Sequence, residues 1–91
     1  MYRILYTEDY NKRAGKFLRR HPELKGQYRK CLELLEVDPS HPSLRLHKLK
    51  GRLSGLYSVS INITYRIALF FITEKDAIVP VDIGSHDEVY E

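Results

Sequence analysis

Two histidines, one arginine and a group of basic residues are the side chains of this sequence best suited to chemistry. His47 lies in "LRLHKLKGR" (44–52), Arg66 in "YRIALFFI" (65–72) and His86 in "IGSHDEVYE" (83–91). Histidine changes charge near neutrality and serves as acid or base. Arginine holds two phosphate oxygens at once, and lysine supplies point charges. From residue 40 to residue 72 there is no Asp or Glu, yet Arg45, Lys48, Lys50, Arg52 and Arg66 all fall there. A stretch that excludes acids and collects bases suits a polyanion. Within it Arg66 has no acid to pair with, so phosphate contact is the better reading. RNA carries its own nucleophile, the 2′-hydroxyl. Cleaving it takes a base for that hydroxyl, cationic support for the phosphorane and an acid for the 5′-oxygen. This set contains all three without a metal, and stabilising the transition-state charge is expected to be the largest contribution.

Other reactive groups carry less. His21 and His41 sit beside prolines and read as loop residues without a role. The single Cys31 cannot close an internal disulfide and excludes the multi-cysteine zinc frameworks. His86, Asp87 and Glu88 are adjacent, and adjacent residues rarely converge on one ion, so no metal site is expected. Asp87 and Glu88 either orient His86 or solvate the tail. Tyr90 either stacks on a base or packs on the sheet.

The elements that must position these groups follow from periodicity. "YRILYT" (2–7) reads as a short strand. A helix follows, capped by Thr7 or Asp9, with Tyr10, Ala14, Phe17 and Leu18 on one face and Pro22 as its stop. A second helix over about 23–37 carries the apolar stripe Leu24, Tyr28, Cys31, Leu32 and Leu35. From Leu44 the pattern turns to strands. Tyr57, Val59, Ile61, Ile63 and Tyr65 alternate with Ser58, Ser60, Asn62 and Thr64, which predicts one dry face and one wet face. The run to Ile72 is too long for one strand, so a break is expected near Asn62–Thr64. The strand over 77–83 contains Pro80, which has no amide donor, and is therefore expected at an edge or a bulge. The fold class is α+β: a small antiparallel sheet in β-α-α-β-β-β-β order, backed by a helical hairpin. Its wet face carries Ser58, Ser60, Arg66, Arg45 and His47. Gly84 is expected to let the chain turn back over that face and bring His86 near Arg66.

Ninety-one residues and 43% hydrophobic content suit one domain, 1–91, with one modest core. The balance of charge is uneven. Residues 1–52 hold 13 Lys/Arg against 6 Asp/Glu, and residues 53–91 hold 2 against 6, so a polyanion is expected to meet the basic part. No apolar run nears 18 residues, and the first residues lack the pattern of a secretory signal, so a cytoplasmic protein without membrane contact is expected.

"LHKLKGRLSGLYSVSI", "YRIALFF" and "DIGSHDEVY", in this order and spacing, resemble the RelE/ParE superfamily of toxins from toxin–antitoxin pairs, most closely the YafQ-like members. The resemblance covers nearly the whole chain. It implies a RelE-like fold and a type II toxin that cleaves mRNA on the ribosome as a metal-independent endoribonuclease, with a cognate antitoxin as partner and no cofactor. It implies His47, Arg66, His86 and Tyr90 as catalytic residues. The basic stretch then adds Arg45, Lys48, Lys50, Arg52 and Ser60 as substrate-binding residues. The sequence departs from the YafQ-like pattern at two places, where Ser60 and Thr64 stand for a histidine and an aspartate. ParE relatives share the fold and act on DNA gyrase, so a gyrase-binding toxin, or a catalytically inactive RNA-binding relative, is the alternative.

Overall fold

The computed structural model describes residues 1–90; the side chain of residue 90 and all of residue 91 lie outside the description. β1 (Arg3–Ile4) leads into α1 (Glu8–Arg20). Thr7 caps α1 by accepting a hydrogen bond from the Tyr10 amide at 3.0 Å, and Glu8 and Asp9 occupy its first turn, at the positive end of the helix dipole. Pro22 opens a 3₁₀ turn that hands the chain to α2 (Lys25–Val37). The Tyr10 and Tyr28 hydroxyls meet at 2.9 Å and tie the two helices together. Burial, then the neighbouring Tyr28, pushes the Tyr10 phenol well above its ordinary range.

β2 (His47–Lys48), β3 (Tyr57–Ser60), β4 (Tyr65–Ile72) and β5 (Ala77–Ser85) complete a five-stranded sheet in the order β1-β5-β4-β3-β2. The last four strands pair antiparallel as expected, but β1 runs parallel to β5, so the sheet is mixed. β5 is thus internal, so of the two expectations for Pro80, an edge or a bulge, it is the bulge that holds. Two local features accommodate the proline. β1 pairs only with Ala77 and Ile78, so beyond them β5 has β4 as its one sheet neighbour. The register also slips between Ala68 and Leu69, a bulge beside Pro80.

The helices bury one face of the sheet. Val59, Ile67, Leu69, Ile78 and Ile83 form the core with Tyr10, Ala14, Phe17, Leu24, Cys31, Leu35 and Leu44. Full burial of each large aliphatic side chain stabilises the fold by about 1.5–3 kcal/mol. Paired residues share a face, so Ser58 with Ala68, and Ser60 with Arg66 and Gly84, lie on the other side. That side was expected to be wet. Ser58 is instead fully buried and Ser60 is 8% exposed.

The tail is a helix. α3 (His86–Tyr90) follows β5 directly and packs on β4 and β5. Ser85 and Glu88 form a reciprocal cap. The Ser85 amide donates to Glu88 Oε1 at 2.8 Å, and the Glu88 amide donates to Ser85 Oγ at 3.3 Å. Gly84 is extended, not turned: a Cβ there would stand 2.9 Å from Glu88 Oε1 and 3.1 Å from Glu88 Cβ. Its role is close approach, which lets α3 fold back against the strand.

Candidate functional site

Arg66 lies on the sheet face opposite the helical hairpin, the face that Gly84 and the start of α3 share. Its Nη1 donates to Ser60 Oγ across the β3–β4 ladder. Its Nε is buried and has no hydrogen-bond partner among the described residues, and no ion pair there includes Arg66. A cationic donor without a partner is a poor structural choice and a good anion contact. Ser60 is fixed from behind, because the Cys31 thiol donates to the Ser60 carbonyl at 3.6 Å. Burial pushes that thiol up to about 12, so it stays protonated and serves as a donor.

Arg45, Ser43, Ser60, Asn62 and Ile63 line a cleft of about 150 Å³ beside Arg66. Arg45 has φ 50° and ψ 45°, the left-handed conformation, at the end of the 3₁₀ turn Pro42–Leu44. A non-glycine residue there costs roughly 1–2 kcal/mol. The left-handed residue also explains why β2 is so short: the strand expected from Leu44 begins only at His47. His41 caps the 3₁₀ turn, its Nδ1 accepting from the Ser43 amide at 3.2 Å.

His47 pairs with Ser58, so it shares the Arg66 face, two strands away and one ladder step along. That places the two Cα atoms roughly 12 Å apart by strand geometry. The His47 ring is exposed, with Nδ1 3.0 Å from the Arg45 carbonyl oxygen. The His86 side chain is 63% exposed, and its Nδ1 lies 3.6 Å from Asp87 Oδ1. It stands two residues beyond Gly84, the cross-strand partner of Arg66. The structure therefore links Arg45, Ser60 and Arg66, with His47 on the same face in the edge strand β2, while His86 lies in α3, two residues beyond Gly84. Asp87 is the tail carboxylate beside His86, whereas Glu88 belongs to the helix cap. Tyr90 falls in α3, but its stacking role lies outside the described residues.

The expected basic surface divides. Lys48 pairs with Tyr57, which packs on the helix-side core, so Lys48 belongs to the other face from His47. Lys50 and Arg52 are exposed around the next 3₁₀ turn, Gly51–Leu53. Two residues were missed in sequence. Ile63 is 82% exposed at the tip of the β3–β4 turn, beside the Arg45 cleft. The signal was present, since an isoleucine suits a turn poorly. His21 is not idle loop: its ring stacks 4.8 Å from both Phe17 and Tyr65. It helps line a cleft of about 230 Å³ with Arg13, Lys16, Arg20, Asp82 and Glu88. Among the described residues no group of three His, Cys, Asp or Glu side chains is placed to hold a metal ion, and no helix is long and apolar enough to cross a membrane.

A helical hairpin on one face of a five-stranded mixed sheet is the fold of the RelE/ParE-like toxins. YafQ from E. coli strain BL21(DE3) superposes with a TM-score of 0.79 at 14% identity, over 100% of both chains. A YoeB/ParE toxin from Agrobacterium tumefaciens gives 0.73 at 14% identity, over 92% of this chain and 98% of that one. The toxin–antitoxin complex RelBE2 from Mycobacterium tuberculosis gives 0.62 at 20% identity, over 93% and 98%. No protein-family model and no curated protein sequence matches the chain.

Proposed function

We propose that this protein is the toxin of a type II toxin–antitoxin pair and an endoribonuclease that cuts mRNA on the ribosome, in the cytoplasm. The observation that carries this reading is Arg66, a partly buried guanidinium without a carboxylate partner among the described residues, on the same sheet face as His47 in a fold shared with toxins over its whole length. In the reaction, one histidine takes the proton of the 2′-hydroxyl. The 2′-oxygen bonds to phosphorus, the bond from phosphorus to the 5′-oxygen breaks, and His86 protonates that oxygen. The products are a 2′,3′-cyclic phosphate and a 5′-hydroxyl. Arg66 holds the phosphate oxygens as charge builds, with Arg45 beside it. Ile63 offers an apolar contact to a splayed base. No step calls for a metal.

The test uses purified protein with translated and with naked mRNA, read by primer extension and by the chemistry of the new ends. Cuts confined to translated mRNA, ending in cyclic phosphate and unaffected by a chelator that spares magnesium, support the reading. Loss of cutting on chelation, restored by one transition metal, overturns the metal-free mechanism.

A second reading is a ParE-like toxin that binds DNA gyrase. Ser60 and Thr64, at positions where the YafQ-like pattern carries histidine and aspartate, favour it. Inhibition of gyrase supercoiling by a protein that leaves translated mRNA intact would select it. In either case the partner is a cognate antitoxin, a reading supported by the RelBE2 toxin–antitoxin complex. An acidic or amphipathic antitoxin segment would shield the cationic surface from stray polyanions.

A further inference from the structure

We infer that Arg45 is a positioning residue that acts through its backbone: its left-handed conformation aims its carbonyl at His47 Nδ1 and selects the tautomer of that ring. The inference rests on the reading of His47 as an acid–base group in the proposed cleavage.

Three observations on one segment carry it. Pro42–Leu44 forms a 3₁₀ turn anchored by the buried Leu44, and the Arg45 amide donates back to the Pro42 carbonyl at 3.2 Å. Arg45 then adopts φ 50° and ψ 45°, a conformation that glycine or asparagine takes far more readily. The angle ψ sets the direction of a residue's own carbonyl, and here that oxygen lies 3.0 Å from His47 Nδ1. A carbonyl only accepts, so in the neutral ring Nδ1 must carry the proton and Nε2 must hold the lone pair. That makes Nε2 the nitrogen able to take a proton from a 2′-hydroxyl. The strained backbone thus has a chemical product: it sets which end of the histidine is basic.

The same segment contains its own control. His41 Nδ1 accepts from the Ser43 amide, which only donates, so His41 must carry its proton on Nε2. Two histidines six residues apart are held in opposite tautomers by opposite backbone groups.

The experiment is long-range ¹H–¹⁵N NMR of the histidine rings in the full chain, above the pH at which they titrate, for the parent, Arg45→Gly and Arg45→Val. Glycine accepts the left-handed conformation, whereas a β-branched residue resists it. The expected result is His47 as Nδ1–H and His41 as Nε2–H in the parent. Arg45→Gly keeps both. Arg45→Val moves His47 toward Nε2–H by about fivefold in tautomer ratio, the worth of one ordinary hydrogen bond, and leaves His41 unchanged. Cleavage should follow: Arg45→Val lowers kcat by a similar factor, and Arg45→Gly raises KM through loss of the guanidinium. An Nε2–H His47 in the parent, or an unchanged His47 in Arg45→Val, overturns the inference. The predicted tautomers in a protein that cuts no RNA uphold the positioning and overturn the nuclease reading.

Discussion

The two faces of β3 and β4 are one residue apart in sequence and follow different rules. On the helix side stand Val59, Ile67 and Leu69, each fully buried and each aliphatic. On the other stand Ser58, Ser60, Arg66 and Ala68, small or polar, with a guanidinium nitrogen that has no described partner. The first face is what stability selects. The second accepts an unsatisfied donor and buried hydroxyls where aliphatic residues would pack better. Because side chains alternate along a strand, the well-packed face holds the reactive face rigid without sharing residues with it. A slip of one residue in register would exchange the two.

Substitutions on the two faces should separate activity from stability. His86→Ala is expected to lower cleavage by roughly 10²–10⁴-fold, the usual worth of a positioned acid or base. Its thermal midpoint should stay near that of the parent, because the side chain is exposed. Parental cleavage by a folded His86→Ala protein would remove the histidine from the mechanism. On the opposite face, Ile67→Ala should cost about 2–5 kcal/mol in urea denaturation. A small loss there would mean that the core is not where stability resides.

The tail tests the boundary between the faces. Ser85→Ala removes one arm of the α3 cap and should cost about 1 kcal/mol, with a loss of cleavage smaller than that of His86→Ala. Hydrogen bonds from the Ser85 amide, then its hydroxyl, hold the Glu88 carboxyl below its ordinary value of 4.5. A lowered value in the folded state stabilises the fold above 4.5, and that stabilisation is lost as pH falls through the folded value. Protection of the α3 amides, measured against their intrinsic exchange rates at each pH, should therefore fall on acidification before that of the core, and Glu88→Gln should flatten this response. Simultaneous opening of tail and core would show that the cap does not act locally. The tail is also less dispensable than an exposed end would be, since Val89 is buried.

The smallest effect concerns the split basic surface. Charge reversal at Lys50 should weaken RNA binding and reduce the salt slope by about 0.7, one phosphate contact on a single strand. Lys48, facing the other way, should matter less. Equal effects would mean that RNA wraps around the β2 edge.

Much of this was legible because periodicity reports faces. The Thr7 cap, the apolar stripes of α1 and α2, the alternation through β3 and the turn at Asn62–Thr64 all follow from local spacing. In that turn the Asn62 side chain accepts from the Thr64 and Tyr65 amides at 2.9 and 2.8 Å. Periodicity does not report neighbours, so the parallel pairing of β1 with β5 was hidden, and with it the internal position of Pro80. Nor does it resolve single residues: the left-handed Arg45 cut β2 short without a glycine to announce it. The five-residue α3 is too brief for a periodic stripe. Its signal was chemical, the Ser-x-x-Glu of "SHDE", and the ring of candidate catalytic groups around it obscured a simple helix cap. Burial of Ser58 and Ser60 followed from no local pattern, because alternation says which residues share a side and not how well that side is covered.

The most direct test of the central claim sets Arg66→Ala beside the parent in one translation reaction, with cut sites mapped by primer extension and both proteins matched for folding by circular dichroism. The account predicts a folded Arg66→Ala protein whose cuts are at least 10²-fold slower, since the one hydrogen bond of the guanidinium among the described residues is to the Ser60 hydroxyl. Equal cutting by the two proteins, or none by either, would contradict the assignment of the Arg66 face as a ribonuclease site.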